Sequence, residues 1–120
     1  MVISLVLVEH PPAVRQTLRA RISLEDDIQI VGEAGDAACA AELATSLDPD
    51  VVLLDAEMPH LDLLSTVGEL AERAPACAVV VLTLEPAGVR REFPSVTAVG
   101  KHEGTGALLA AIRSTGQRRN

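Results

Sequence analysis

Aromatic residues are almost absent from this chain of 120 residues, which contains no Trp, no Tyr and a single Phe, Phe93. The core therefore has to be filled by Val, Leu, Ile and Ala. Hydrophobic residues make up 48% of the sequence and charged residues 22%, which is an ordinary globular composition and excludes a disordered chain. The length suits one domain with one hydrophobic core.

Positive charge is scarce as well, since 10 Lys and Arg residues stand against 17 Asp and Glu residues, for a net charge of −7. This balance argues against direct binding of nucleic acid through its phosphates, which requires a basic surface. The N-terminus has no basic region, and its apolar run is too short for a signal peptide or a membrane span. We therefore expect a cytoplasmic protein that does not contact a membrane.

Cysteine occurs only at Cys39 and Cys77, a spacing that fits no metal site. Each cysteine lies between two alanines, and free cysteine is among the most buried residue types. The sequence thus predicts two small, buried thiols in a reducing compartment.

The residues that are present are organised around 50–59, Asp-Val-Val-Leu-Leu-Asp-Ala-Glu-Met-Pro. The apolar run 51–54 predicts a strand that is buried on both faces and ends at Asp55. Pro59 fits neither a strand ladder nor a helix interior, so 56–59 are predicted to form a loop. A carboxylate therefore stands at the carboxyl end of a buried strand, where parallel α/β sheets bind their ligands. We take Asp55 as the functional centre.

Hydrophobic periodicity predicts strands that alternate with helices along the whole chain. The other strands are predicted at 3–8, 28–33, 78–82 and 96–100. Helices are predicted at about 12–24, 37–47, 63–74 and from 108 onward. A loop is predicted at 104–106, and 87–92 should form at most two helical turns. Strands separated by helices of this length imply parallel pairing through right-handed crossovers. The predicted fold is α/β, a doubly wound five-stranded parallel sheet. The domain is expected over 1–115, and 116–120 would be a tail or the start of a linker.

Polar side chains follow four of the predicted strands, and because the carboxyl ends of parallel strands share one rim, these side chains could converge. They are Glu9, His10, Asp55, Thr83 and Lys101. This set suits the acceptance of a phosphoryl group on a carboxylate, with Asp55 as the nucleophile that forms an acyl phosphate. Glu9 could hold a divalent cation beside it. Thr83 and Lys101 would meet the phosphoryl oxygens and their charge.

The segments 51–59, 79–83 and 100–101, in this order at strand ends, resemble the receiver domain of two-component response regulators over residues 3–115. The run 9–15 also looks like the first loop of the subfamily whose receivers precede a LuxR-type helix-turn-helix.

The resemblance implies a flavodoxin-like receiver fold in which Asp55 is the phosphoacceptor for a partner histidine kinase and the output is regulation of transcription. It also implies a Mg²⁺ site formed by Glu9, Asp55 and the backbone carbonyl of Glu57, and contacts from Thr83 and Lys101 to the phosphoryl group. The expected partners are thus the kinase, a second copy in a homodimer, and DNA only through a further domain. The domain would catalyse its own phosphorylation without being a metabolic enzyme.

The sequence departs from the family pattern in ways that predict an atypical receiver. His10 stands at the second place of the usual acidic pair, and imidazole is a poor ligand for Mg²⁺, so the cation site should be weak. The segment 83–101 is short and carries Pro86 and Gly88, which predicts a stunted fourth helix. The strand at 96–100 lacks the aromatic residue that many receivers use as a switch.

Two alternatives stay open beside the phosphoacceptor. One is a phosphorylation-independent pseudo-receiver that acts as a protein-interaction or dimerisation module, which His10 and the short segment after Thr83 favour. The other is a small flavodoxin-like binder of a nucleotide or cofactor. The sequence argues against the second, because 9–12 stand where a Gly-rich phosphate-binding loop would be expected.

Overall fold

Residues 1–119 form five strands and five α-helices in strict alternation. A computed structural model describes residues 1–119, with only the backbone given for 118 and 119. The strands are β1 (Ile3–Val8), β2 (Ile28–Ala34), β3 (Val51–Asp55), β4 (Ala78–Thr83) and β5 (Thr97–Gly100). The helices are α1 (Pro12–Ile22), α2 (Ala38–Leu47), α3 (Leu63–Arg73), α4 (Pro86–Glu92) and α5 (Thr105–Arg119), with a 3-10 turn at Lys101–Glu103. The predicted α/β order is confirmed.

All five strands lie in one parallel sheet, in the order β2-β1-β3-β4-β5. The chain first moves outward from β1 to β2 and then returns to the other side of β1, so the direction of winding reverses between β1 and β3. In open parallel sheets, ligands bind beyond the carboxyl ends of the strands at such a reversal. The register pairs Val8 with Leu54 and Thr83 with Gly100. The residues that follow these strands therefore lie together at the carboxyl ends of the strands.

Helices cover both faces of the sheet, which is why the central strands are apolar without alternation. On one face, α1 and α5 pack through Ile22, Leu108 and Ile112 against the strands. On the other face, α2 and α3 pack against β1 and β3, and α3 and α4 pack against β4 and β5. Every residue of β3 is buried, as the sequence predicts.

The fourth helix is as short as the sequence predicts, with seven residues, or about two turns. Pro86 occupies its first turn, and Val89 is its buried residue. Phe93, which directly follows the helix, is also buried and packs with Val96 and Ala98. The single aromatic side chain therefore anchors the end of α4 to the sheet.

The first and last helices differ from prediction at their ends. Helix α1 ends at Ile22 rather than near 24, and Leu24 is 73% exposed. Helix α5 begins at Thr105, so the predicted loop 104–106 is reduced to Gly104, whose φ of 90° favours glycine.

Helix α5 also continues through 116–119, which the sequence assigns to a tail or linker. Asn120, the last residue of that predicted tail, lies outside the described residues. The domain boundary at 115 stays a prediction.

The prediction of two buried thiols is wrong for Cys39, which is exposed, whereas Cys77 is partly buried. On α2, Ala40 and Ala41 occupy the inner face, which leaves Cys39 facing outward. The thiol of Cys77 donates a hydrogen bond to the carbonyl oxygen of Pro49 at 3.0 Å. None of the helices in residues 1–119 combines the length and the apolar character that a membrane crossing needs.

Candidate functional site

Two buried carboxyl groups mark the carboxyl ends of neighbouring strands. Asp55 is the last residue of β3 and is 3% exposed, and Glu9 directly follows β1 and is 1% exposed. Because Val8 pairs with Leu54, the next residue on each strand is one of these acids, and neighbouring strands lie about 4.8 Å apart. The strand register thus brings together the two acidic residues that the sequence predicts for this rim.

The proximity of these acids changes the ionisation of Glu9. Burial raises the pKa of Glu9, and the adjacent Asp55 carboxylate raises it further, to about 8. The hydrogen bond that the His10 backbone N–H donates to Glu9 Oε1, at 2.9 Å, and the charge of Lys101 oppose this rise only in part. Burial and the neighbouring carboxylate thus both favour the protonated form of Glu9 in the metal-free protein.

The Asp55 carboxylate is held at both oxygens. The Lys101 ammonium nitrogen lies 2.8 Å from Oδ2, and the Glu57 backbone nitrogen donates to Oδ1 at 2.8 Å. The lysine directly follows β5, in a turn where the Gly100 N–H donates to Glu103 Oε2. Because these donors come from two different loops, they fix the orientation of the carboxylate.

The Thr83 hydroxyl lies at the same rim but has a partner that the sequence did not suggest. It donates to Glu57 Oε2 at 2.9 Å and accepts a hydrogen bond from the Glu85 backbone N–H at 3.0 Å. The Leu84 backbone N–H donates to the same Glu57 oxygen at 2.9 Å. Sequence reasoning gave Glu57 a role only through its backbone carbonyl. The contact joins residues 26 positions apart, and no sequence pattern indicates it.

The imidazole of His10 does not complete an acidic cluster. His10 is exposed, and its contact with Glu9 is made by the backbone N–H. Within residues 1–119, no group of three or more His, Cys, Asp or Glu side chains is arranged to hold a metal ion.

The donors that are present nevertheless suit Mg²⁺. Glu9 and Asp55 supply hard carboxylate oxygens, and Mg²⁺ is typically bound by one or two carboxylates while it keeps several waters. The two acids are buried beside a single ammonium group, that of Lys101, so a cation would add positive charge where burial and the Asp55 carboxylate raise the Glu9 pKa. These residues fit a Mg²⁺ site with few protein ligands.

Two cavities lie near this rim. One, of about 280 Å³, opens between α1 and α5 and is lined by Glu9, Lys101 and apolar residues such as Leu18 and Leu108. The other, of about 740 Å³, lies between α3 and α4 and does not include the buried acids. We place the chemistry at the carboxylates despite the greater size of the second cavity, because the Asp55 carboxylate is buried and in contact with an opposite charge.

Comparison with known proteins gives a family match over most of the chain. The model of the family described as response regulator receiver domain matches residues 5–100. The nitrate/nitrite response regulator protein NarL of Escherichia coli (strain K12) is 37% identical over 81 residues, which cover 68% of this chain and 38% of NarL. The protein-glutamate methylesterase/protein-glutamine glutaminase 1 of Caulobacter vibrioides is 33% identical over 118 residues, which cover 92% of this chain and 34% of that protein. The chain thus spans about a third of the length of these curated relatives.

Solved structures share the fold along nearly the whole chain. The signal receiver domain of NarL from Mycobacterium tuberculosis superimposes with a TM-score of 0.83 at 25% identity, with 97% of each chain covered. The response regulator domain of CheB from Thermotoga maritima superimposes with a TM-score of 0.83 at 24% identity, with 98% of each chain covered. The predicted flavodoxin-like receiver fold is confirmed.

Proposed function

This chain belongs to the family of response regulator receiver domains, and from that premise we propose that Asp55 accepts a phosphoryl group from a histidine kinase. The observation that carries the proposal is the geometry around this side chain. Its carboxylate is buried at the end of β3, lies 2.8 Å from the Lys101 ammonium and stands beside Glu9. Opposed charges at such a buried carboxylate are typical of sites that stabilise transferred anions.

In the proposed reaction, an Asp55 carboxylate oxygen attacks the phosphorus atom of the phosphohistidine. A bond from oxygen to phosphorus forms as the bond from phosphorus to the imidazole nitrogen breaks, and the electron pair returns to that nitrogen, which takes up a proton. The Glu57 N–H and the Lys101 ammonium orient the carboxylate before attack. Lys101 then offers its charge to the phosphoryl oxygens.

Mg²⁺ is part of this proposal. The carboxylates of Glu9 and Asp55 and the backbone carbonyl of Glu57 would hold it, and Glu9 would release its proton when the ion binds. The ion supplies positive charge to the phosphoryl oxygens. His10 contributes no carboxylate, so we expect weak binding of Mg²⁺ in the absence of a phosphoryl donor.

The proposed output is a shift between two surface arrangements of the domain, which changes the activity of the longer protein. Because the run 9–15 resembles the first loop of receivers that precede a LuxR-type helix-turn-helix, the output we propose is regulation of transcription through a further DNA-binding domain. The chain itself would act in the cytoplasm as a signalling domain rather than a metabolic enzyme, alone or as a homodimer. The methylesterase activity in the name of the Caulobacter relative is not part of the proposal.

Intact mass spectrometry with a small phosphoryl donor tests the proposal. The domain is incubated with acetyl phosphate and Mg²⁺, and Asp55→Asn is the matched variant because it keeps the size of the side chain and removes the nucleophile. We expect a phosphoryl adduct on the wild type and none on the variant. In parallel, beryllofluoride should shift the amide NMR signals at the rim. An unmodified, folded wild type with unshifted amides would instead indicate the phosphorylation-independent interaction module.

A further inference from the structure

The Glu57 side chain connects the two loops that border the phosphoacceptor. Its Oε2 atom accepts hydrogen bonds from the Thr83 hydroxyl and the Leu84 backbone N–H, both at 2.9 Å. Its own backbone N–H donates to Asp55 Oδ1 at 2.8 Å. One residue therefore contacts the proposed nucleophile through its backbone and the loop after β4 through its carboxylate. We call the bonds from the Glu57 carboxylate to Thr83 and Leu84 the Glu57 latch.

The latch uses the only proton that the Thr83 hydroxyl can donate. A hydroxyl group has one donor hydrogen, and here this hydrogen is directed to a carboxylate, which is a stronger acceptor than a neutral group. The hydroxyl oxygen also accepts from the Glu85 N–H, and Thr83 is 2% exposed, so water has little access to it. To donate to a phosphoryl oxygen on Asp55, Thr83 must therefore first release Glu57.

Resting on the proposed function, we propose that Glu57 is a positioning residue whose latch opposes phosphoryl uptake at Asp55. It holds the loop after β4 in the arrangement of the unphosphorylated domain. Each phosphoryl group gained at Asp55 has to displace the carboxylate from Thr83 and Leu84. The latch thus sets how readily the domain leaves its resting arrangement.

The geometry separates the latch from a general effect of negative charge. Glu57→Asp keeps the charge, but its side chain is one methylene shorter and cannot span the same distance to Thr83. Glu57→Gln keeps the reach and an acceptor oxygen but loses the charge. Glu85→Gln removes a charge from the neighbouring exposed residue, whose backbone N–H rather than its carboxylate bonds Thr83. Since Glu57 is exposed, we expect all three variants to fold.

Two measurements follow on these variants. Amide hydrogen exchange of Leu84 in the unphosphorylated, Mg²⁺-free domain reports the latch directly, and should be faster by about tenfold in Glu57→Asp because a hydrogen bond to a charged acceptor is lost. The dissociation constant of beryllofluoride in the presence of Mg²⁺, followed by amide NMR, reports the opposition to phosphoryl uptake. It should fall by about tenfold in Glu57→Asp, by less in Glu57→Gln, and stay within about twofold of wild type in Glu85→Gln.

The proposal is overturned if Glu57→Asp binds beryllofluoride like the wild type, or if Glu85→Gln tightens binding as much as Glu57→Asp does. The first result would show that the lost contact has no influence, and the second that only charge matters. Failure of the proposed function looks different, because no variant would then bind beryllofluoride, while the exchange rate of Leu84 would still change in Glu57→Asp.

Discussion

Replacing Glu9 with Gln should change the pH dependence of folding stability. In the metal-free fold, burial and the Asp55 carboxylate raise the Glu9 pKa from its usual 4.5 to about 8. Above pH 4.5 the unfolded chain has lost this proton, whereas the folded protein keeps it until about pH 8. The folded state therefore binds one more proton in this window, so stability falls as pH rises.

The size of the effect follows from the two pKa values. Stability changes by at most roughly 1.4 kcal/mol per pH unit for one proton. Between pH 5 and pH 8, Glu9 should thus cost the metal-free wild type about 3 kcal/mol. The neutral amide of Gln does not ionise and can still accept the hydrogen bond from the His10 N–H. We expect Glu9→Gln to match the wild type near pH 5 and to be about 3 kcal/mol more stable at pH 8.

Urea denaturation at several pH values, with EDTA to remove divalent cations, measures this difference. The control is Glu85→Gln, which removes an exposed carboxylate near the same rim and should keep the slope of the wild type. Adding Mg²⁺ at pH 8 should stabilise the wild type and have little effect on Glu9→Gln, because the variant lacks a ligand. Parallel stability curves for wild type and Glu9→Gln from pH 5 to pH 8 would refute the account of the buried acid pair.

Two further substitutions test the site and the packing. His10→Asp should tighten Mg²⁺ binding by at least about tenfold. Two unit charges about 4 Å apart interact by about 1 kcal/mol even in bulk water, and Mg²⁺ carries two positive charges. An unchanged dissociation constant in isothermal titration calorimetry would show that His10 does not face the ion. Gly116→Ala should destabilise the fold by about 1 to 3 kcal/mol, since its Cβ would lie 2.6 Å from Cγ2 of the buried Ile3. In the same helix, Gly106→Ala meets no atom within 4 Å and should stabilise by about 0.5 to 1 kcal/mol. Urea denaturation of both variants measures the difference, and two changes of the same sign would contradict the packing argument.

The architecture could be predicted because each strand carries its signal in its own residues. The runs 51–54 and 79–82 are apolar without alternation, and such runs form strands buried on both faces, as β3 shows in full. The intervening helical stripes then require crossovers and a parallel sheet. Pro86 and the short segment around it likewise predicted the reduced fourth helix.

Helix ends and exposure depended on contacts that are not visible locally. The stripe of α1 suggested a helix to about 24, but only its inner end at Ile22 is buried against the sheet. The apolar neighbours of Cys39 suggested burial, yet Ala40, Ala41 and Ala44 form the inner face of α2 and Cys39 faces outward. In both cases the local composition predicted the helix but not which of its residues pack against the core.

The sequence by itself determined which residues leave the carboxyl ends of the strands, because strand length and burial are local properties. Glu9, Asp55, Thr83 and Lys101 were identified in this way. Only the tertiary structure decided which side chains pair there, because a rotamer is chosen by groups from loops far apart in the chain. Lys101 thus meets Asp55 across 46 positions, and the Glu57 carboxylate takes the hydroxyl proton of Thr83.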